Sequence, residues 1–279
     1  MKPTFIGIGV QKCATTWLYD ILSQHPGICM SQKKELDFFT YWWDQGYQKY
    51  EENFTTLNDK NAIGEISPSY FYDIDAPKRI HDYNSDIKII VMFRNPIERI
   101  VSNHKHEIRV GNLKGSDVSV ETGLRNNPSY IEQSCYASHL KRWLNYFDSE
   151  SILVVFFEDV VNKPQQTIRE VYRFIGVDEA FSPEKITEKS NESYVFKSNV
   201  LGQMVSYIRK IIRNYGMSFL WDLLVKLGVR NIYRKHNRKT NFDEIPKLKQ
   251  ETKDKFKKIF EPEIAELENI TGRCLEDWK

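Results

Sequence analysis

Residues 4–22, TFIGIGVQKCATTWLYDIL, constrain this chain more than any other stretch, because they run a buried strand into a helix through a short loop. Phe5, Ile6 and Ile8 form a brief apolar run bounded by Gly7 and Gly9, which suits a buried strand. From Thr15 onward, Trp17, Leu18, Ile21 and Leu22 recur at helical spacing. A strand entering a helix this way aims free backbone N–H groups and the positive end of the helix dipole at one point. That point binds anions, phosphate above all.

The loop nearly fits the phosphate-binding pattern G-x-x-x-x-G-K-[ST], with Gly9 first and Thr16 last. Ala14 stands at the second glycine, Thr15 at the lysine, and the lysine moves inside the loop as Lys12. A lysine placed earlier contacts a different part of the ligand than the β/γ-phosphates of a triphosphate. On this stretch alone a plainer reading stays open, a strand-turn-helix with Lys12 in solvent.

With 279 residues, 41% of them hydrophobic, the chain has ample core for one large domain or two small ones. A net charge of +2 is too small to argue for nucleic acid. No apolar run reaches the ~18 residues of a membrane span. MKPTFIGIG enters the first strand at once, which leaves no room for a signal peptide, so a cytoplasmic location is expected. Cys13, Cys29, Cys135 and Cys274 lie far apart, with neither zinc-site nor disulfide spacing, and are read as reduced and mostly buried.

Downstream, His25-Pro26-Gly27 ends the first helix, and Ile28–Met30 reads as a short strand. KKELDFFTYWW follows, with Glu35 between lysines and aromatics. Two readings stand there: a surface loop whose aromatics cover the core, or a carboxylate at the wall of a cleft. Ala62–Ile66 is a second strand and 76–83 a short helix. Residues 86–93 form a near-continuous apolar strand that delivers Arg94-Asn95-Pro96, with Pro96 opening a helix. Arg94 and Ser102 are placed to face one crevice at the carboxyl ends of parallel strands. An ion pair of Arg94 with Glu98, and a solvated Ser102, are the alternatives.

Residues 112–128 read as a flexible loop, 129–147 as one helix, 151–157 as a strand, and 164–174 as a helix ended by Gly176. This alternation predicts an α/β fold, a three-layer sandwich with a mostly parallel central sheet, similar to the P-loop NTPases. Residues 199–227 show helical periodicity, and a helix is expected at about 245–270. Arg209, Lys210, Arg213, Arg230, Arg234, Lys235, Arg238 and Lys239 gather there, as a solvated face or an anion-binding lid. The expected organisation is a single domain over 1–279, an α/β core at 4–177 with a helical extension at 182–279 packed on it.

Taken together, three pieces resemble the sulfotransferases that use 3′-phosphoadenosine 5′-phosphosulfate, PAPS. GVQKCATTWL is similar to their 5′-phosphosulfate loop, and FRNPIERIVS to their 3′-phosphate motif, with arginine and serine eight residues apart. CYASHLKRWLNYF and ILVVFFEDVVNKPQQTIREVYRFIGV are similar to the segment from core helix to last sheet strand. KKELDFF resembles the Lys-Glu-x-x-Phe-Phe loop of the heparan-sulfate and bacterial members. The resemblance covers residues 4–177 in order, with an echo in Leu275-Glu276-Asp277-Trp278.

The resemblance implies that Lys12 contacts the 5′-phosphate and the bridging oxygen of the sulfate ester. Cys13, Ala14, Thr15, Thr16 and Trp17 then hold the 5′-phosphate through loop backbone and hydroxyls, and Arg94 and Ser102 hold the 3′-phosphate. Glu35 matches the proposed catalytic base, kept ionised by Lys34 or Lys12. Lys34, Asp37, Phe39 and Tyr136 are expected to face the acceptor, a saccharide, glycolipid or other small hydroxylated molecule. Asp37 departs from the histidine of several glycan enzymes, and Ile66 from the lysine of the 3-O-sulfating ones. No metal is required, because protein cations hold the donor and the strand at 88–93 ends in Arg94, not a metal-holding aspartate. A P-loop kinase of small metabolites and a non-catalytic protein gripping anionic polymer or glycan are the alternatives.

Overall fold

The computed structural model describes residues 1–54, 60–113, 118–184, 186, 195–196, 238–239 and 248–279. Five strands, β1 (Phe5–Gly9), β2 (Ile28–Met30), β3 (Ala62–Ile66), β4 (Lys88–Phe93) and β5 (Ile152–Phe156), form one sheet. Its order is β2-β3-β1-β4-β5, with every pairing parallel. Helices flank this sheet, as expected for strands apolar on both faces: β1 and β3 are buried at every residue. Small residues let β1 and β3 approach. A Cβ at Gly64 would lie 2.5 Å from the Phe5 ring, and one at Gly7 would lie 2.8 Å from Ile66.

The connection after β1 crosses one way and the connection after β4 the other. The ends of these adjacent strands therefore open on a switch-point crevice. Helix α1 (Thr15–Leu22) follows β1 and buries Trp17, Leu18, Ile21 and Leu22. Two short helices follow, α2 (Tyr47–Glu51) and α3 (Ala76–Tyr83). Pro96 opens α4 (Pro96–Val110), as the sequence predicts.

Contacts divide the chain into two units, the first comprising Met1–Asn103, Asn127–Asn191 and Lys249–Lys279. The second comprises His104–Asn126 and Glu192–Leu248. In it, the expected flexible loop at 112–128 contains a helix, α5 (Val120–Asn126). Val120 and Leu124, one turn apart, are buried there, so packing outweighs the breaker Gly123. Val195–Phe196 pairs antiparallel with Arg238–Lys239. The helical pattern of 199–227 and the basic residues 209–235 lie outside the described residues.

In the first unit the single helix expected at 129–147 is two, α6 (Ser129–Glu132) and α7 (Tyr136–Leu144). The break holds Ser134, whose buried hydroxyl accepts from Arg99 Nε at 2.6 Å. A further helix, α8 (Phe157–Asn162), begins directly after β5, with Glu158 and Asp159 in its first turn, where the helix dipole favours them. Helix α9 (Pro164–Ile175) begins at Pro164 and ends on left-handed Gly176, φ 83°. Helix α10 (Gln250–Thr271) lays Phe256, Phe260, Ile264 and Leu267 on one stripe. It meets α7 through a Lys141–Glu266 ion pair at 2.6 Å and the Ser138 amide on Glu263 at 3.1 Å. No helix among the described residues is long and apolar enough to cross a membrane. All four cysteines are free; Cys13 is buried and Cys274 is exposed.

Candidate active site

The loop after β1 turns through two left-handed residues, Lys12 (φ 73°) and Ala14 (φ 69°). Ala14 occupies the place where the phosphate-binding pattern has its second glycine. The reason for that glycine persists in the backbone, since left-handed geometry costs a Cβ-bearing residue ~1–2 kcal/mol. Alternating hand along a turn points successive N–H groups inward and makes an anion-binding concavity. No side chain caps α1, whose first N–H groups point into this loop. The Val10 amide donates to Met92 O at 2.9 Å and ties the loop to β4. Gly9 (φ 144°) permits the tight exit, where a Cβ would sit 3.1 Å from Pro68 O.

Thr15 is buried, while Lys12, Ala14 and Thr16 are partly exposed. Cys13 is fully buried, and burial pushes its thiol up to about 12. It stays a neutral thiol and contributes backbone rather than a nucleophile. Trp17 is buried, and its indole N–H donates to Ile186 O at 2.9 Å.

Arg94 lies at the end of β4, beside that loop across the sheet. Its Nε and Nη2 donate to Glu98 at 3.1 and 2.9 Å, and its guanidinium rests on the Phe157 ring at 4.2 Å. The ion-pair alternative raised by the sequence is thus present. It uses two of the five guanidinium N–H groups. The turn beneath is fixed on both sides: Tyr136 donates to Arg94 O at 3.0 Å, and the Asn95 amide reaches Glu158 at 3.3 Å. Glu158 also accepts from Trp278 at 3.1 Å, which brings the closing Leu-Glu-Asp-Trp segment to this turn. Ser102 is half-buried further along α4.

A cleft of about 160 Å³ is lined by Gln11, Glu35, Asp37, Tyr41, Pro68, Ser69 and Tyr72. Glu35 (φ 62°) and Asp37 (φ 51°) are left-handed as well. With Lys12 and Ala14 they are all of the non-glycine residues with positive φ among those described. Strained backbone of this kind gathers where geometry must be held for a task. Glu35 is half-exposed and pairs with Lys34, while its amide donates to Ile66 O at 3.1 Å. Asp37 accepts from Ser69 at 2.6 Å, and burial raises its carboxyl above the ordinary range. Glu35 thus lies at a cleft wall, while of the aromatics after it Phe38 and Phe39 cover the core and Tyr41, Trp42 and Trp43 are exposed.

Two expected acceptor contacts need correction. Phe39 is fully buried, edge-on to Tyr50 and Tyr70 with ring centroids 4.9 and 5.6 Å away, and cannot face an acceptor. Phe38–Trp42 forms one π-helical turn, which carries Phe39 into the core and Tyr41 outward. Tyr136 is also buried, stacked on Phe93 with its hydroxyl spent on Arg94 O. Ile66 is fully buried too, so the side chain at that position does not reach the cleft.

Sequence reasoning missed Gln11, Ser69 and Tyr72 at the cleft, and Glu65 beneath it. Glu65 is fully buried on β3, and burial pushes its carboxyl up to about 7. A lone carboxylate inside the apolar run AIGEI was the available signal, because a buried charge must find partners.

A sulfotransferase domain family model matches residues 2–268. Among curated proteins, mouse heparan sulfate glucosamine 3-O-sulfotransferase 6 is 30% identical over 184 residues, covering 63% of this chain and 52% of that protein. The chain thus spans about half the length of that relative. The membrane-associated sulfotransferase kil1 of Dictyostelium discoideum is 21% identical, covering 79% of this chain and 66% of that protein. The solved sulfotransferase from Alicyclobacillus acidocaldarius has the same fold, with a TM-score of 0.72 at 22% identity, covering 100% of this chain and 99% of that one.

Proposed function

This chain belongs to the sulfotransferase domain family, and from that premise we propose that it moves a sulfuryl group from PAPS to a hydroxyl or amine of a saccharide. One observation carries the reading: Gln11 of the phosphate loop and Glu35 line the same cleft. That shared cleft supports a carboxylate base acting beside a loop that holds the phosphosulfate.

In this reading the loop amides from Lys12 to Trp17, with the Thr15 and Thr16 hydroxyls, bind the 5′-phosphate. Arg94 and Ser102 bind the 3′-phosphate, using guanidinium donors beyond the two given to Glu98. Glu35 takes the proton as the acceptor oxygen or nitrogen bonds to sulfur. The sulfur–oxygen bond to the phosphate breaks in the same in-line displacement. Lys12 and the N-terminus of α1 stabilise the negative charge left on the departing 5′-phosphate. Most of the acceleration comes from holding both partners in line, as in phosphoryl transfer.

The saccharide acceptor is supported by the names of the curated relatives and by the cleft lining. Carboxylates and hydroxyls at Asp37 and Ser69 suit sugar hydroxyls, and Tyr41 and Tyr72 offer ring faces. A kinase is not favoured, because β4 is followed by Arg94 and the loop lysine is displaced. No cluster of His, Cys, Asp or Glu that would hold a metal occurs among the described residues.

Incubation with sulfur-labelled PAPS, a heparan sulfate oligosaccharide and a panel of neutral saccharides tests this reading. Label on a saccharide is the expected result. Failure of PAP, 3′,5′-ADP, to bind in calorimetry would overturn the donor assignment. Label on none of these saccharides, with PAP still bound, would overturn the acceptor.

A further inference from the structure

We propose that Glu65 is a positioning residue, a buried carboxylate that sets the Glu35–Asp37 turn through two hydroxyl relays. What the turn serves rests on the proposed function; the relay itself rests on geometry. Ser67 donates to Glu65 Oε2 at 2.6 Å, and Tyr70 donates to Glu65 Oε1 at 2.7 Å. The same Ser67 oxygen accepts from the Asp37 amide at 3.0 Å, and the same Tyr70 oxygen accepts from the Phe38 amide at 2.8 Å.

With Glu65 ionised, direction in these chains is forced. A backbone N–H can only donate, so each hydroxyl oxygen accepts from the turn and its own hydrogen turns inward to the carboxylate. The carboxylate thus fixes the rotor of both hydroxyls, and the rotors present lone pairs to two successive amides. Those amides follow directly on the stretch where Glu35 and Asp37 hold left-handed backbone. The Glu35 amide is itself held by Ile66 O at 3.1 Å, so β3 and the turn after it guide the turn along its length.

A third donor separates relay from mere packing. Tyr50 of α2 also donates to Glu65 Oε1, at 3.0 Å, and is fully buried. It is not part of either chain to the Asp37 and Phe38 amides. Removing the Tyr50 hydroxyl takes a buried hydrogen bond from Glu65 but leaves both relays intact. Removing either of the other two breaks a link to the turn.

Residue-resolved amide exchange on the full chain reads this directly in Ser67→Ala, Tyr70→Phe and Tyr50→Phe. The Asp37 amide should exchange about tenfold faster in Ser67→Ala, and the Phe38 amide about tenfold faster in Tyr70→Phe, the size of one lost hydrogen bond. Neither should change in Tyr50→Phe, and both should quicken in Glu65→Leu, which takes the carboxylate from both hydroxyls; unchanged rates there overturn its role. Equal change in all three variants, or no change in any, overturns the proposal.

PAP affinity, measured alongside, should stay within about twofold of wild type in every variant. Release of PAP from PAPS in the presence of a heparan sulfate oligosaccharide should lose kcat in the two relay variants, with KM for PAPS held. Loss of kcat in Tyr50→Phe to the same extent would reduce Glu65 to a structural role. A wild-type protein that does not bind PAP would defeat the functional reading, while the exchange experiment still decides the relay.

Discussion

The two loops that meet at the cleft are built alike and held differently. Each places two non-glycine residues in left-handed backbone: Lys12 and Ala14 in one, Glu35 and Asp37 in the other. The first is held by main chain, through the Val10 amide on Met92 and the Cys13 amide on Val10 O at 3.2 Å. The second leans on side chains, with Ser67 and Tyr70 receiving its amides and Glu65 steering both hydroxyls. A loop held by backbone keeps its shape when side chains change, so its side chains are free to carry chemistry. A loop held by side chains depends on residues far away in sequence. It can be reshaped by one substitution outside it.

Substitutions should separate these two kinds of support. The largest effect is expected for Glu35→Gln, which removes the base: kcat for transfer should fall by ~10³-fold with PAP binding kept. Loss of PAP in calorimetry would instead make Glu35 part of the donor loop's framework. Lys12→Ala should lower kcat by ~10²-fold, the size of one lost electrostatic contact to developing charge. Near-normal turnover there would break the assignment of chemistry to the backbone-held loop. Arg94→Ala should weaken PAP by about tenfold while 5′-AMP hardly changes. Equal loss for both nucleotides would remove the 3′-phosphate contact.

Smaller effects test how each loop is supported. Burial raises Glu65 from 4.5 to about 7 in the folded protein. A raised carboxyl contributes stability below its unfolded pKa and loses it as pH climbs through the folded one. The melting temperature of Glu65→Gln, which mimics the neutral carboxyl, should therefore rise relative to wild type between about pH 4.5 and 7. A gap that does not move with pH would mean that Glu65 is not titrating in that window. Ala14→Gly relieves the left-handed Cβ and should change stability by no more than ~1 kcal/mol, with its sign set against the added freedom of the unfolded chain. Denaturant unfolding measures it, and a large loss would show that the Ala14 methyl itself packs.

The backbone-held half was legible in sequence. Gly9, Lys12 and Thr16 fall within one short window, and the switch from strand to helical period marks the loop between them. Arg94 was legible because an apolar strand announces its own end. Glu35 and Asp37 of the side-chain-held half were legible in KKELDFF, but their support was not, since Glu65, Ser67 and Tyr70 become neighbours of Asp37 and Phe38 only once β3 lies beside them. Phe39 and Tyr136 were expected to face the acceptor on the family resemblance alone. In a π turn and in a helix, sequence neighbours point apart, and both went to the core. Helix α8 was missed because Glu158 and Asp159 look like a strand's polar exit, although an acidic pair is equally the mark of a helix start.

The central position of β1 has a consequence for how the molecule is made. Phe5 pairs with Gly64 on one side and with Lys88 on the other, both far downstream. During synthesis this strand leaves the ribosome long before either neighbour exists, as a sticky hydrophobic ribbon without hydrogen-bonding mates. Topologies dominated by distant pairings assemble slowly and expose such ribbons to aggregation. Yield in cells should therefore respond to chaperone supply and growth temperature, and a nascent chain halted before β4 emerges should be a ready target for quality-control proteases.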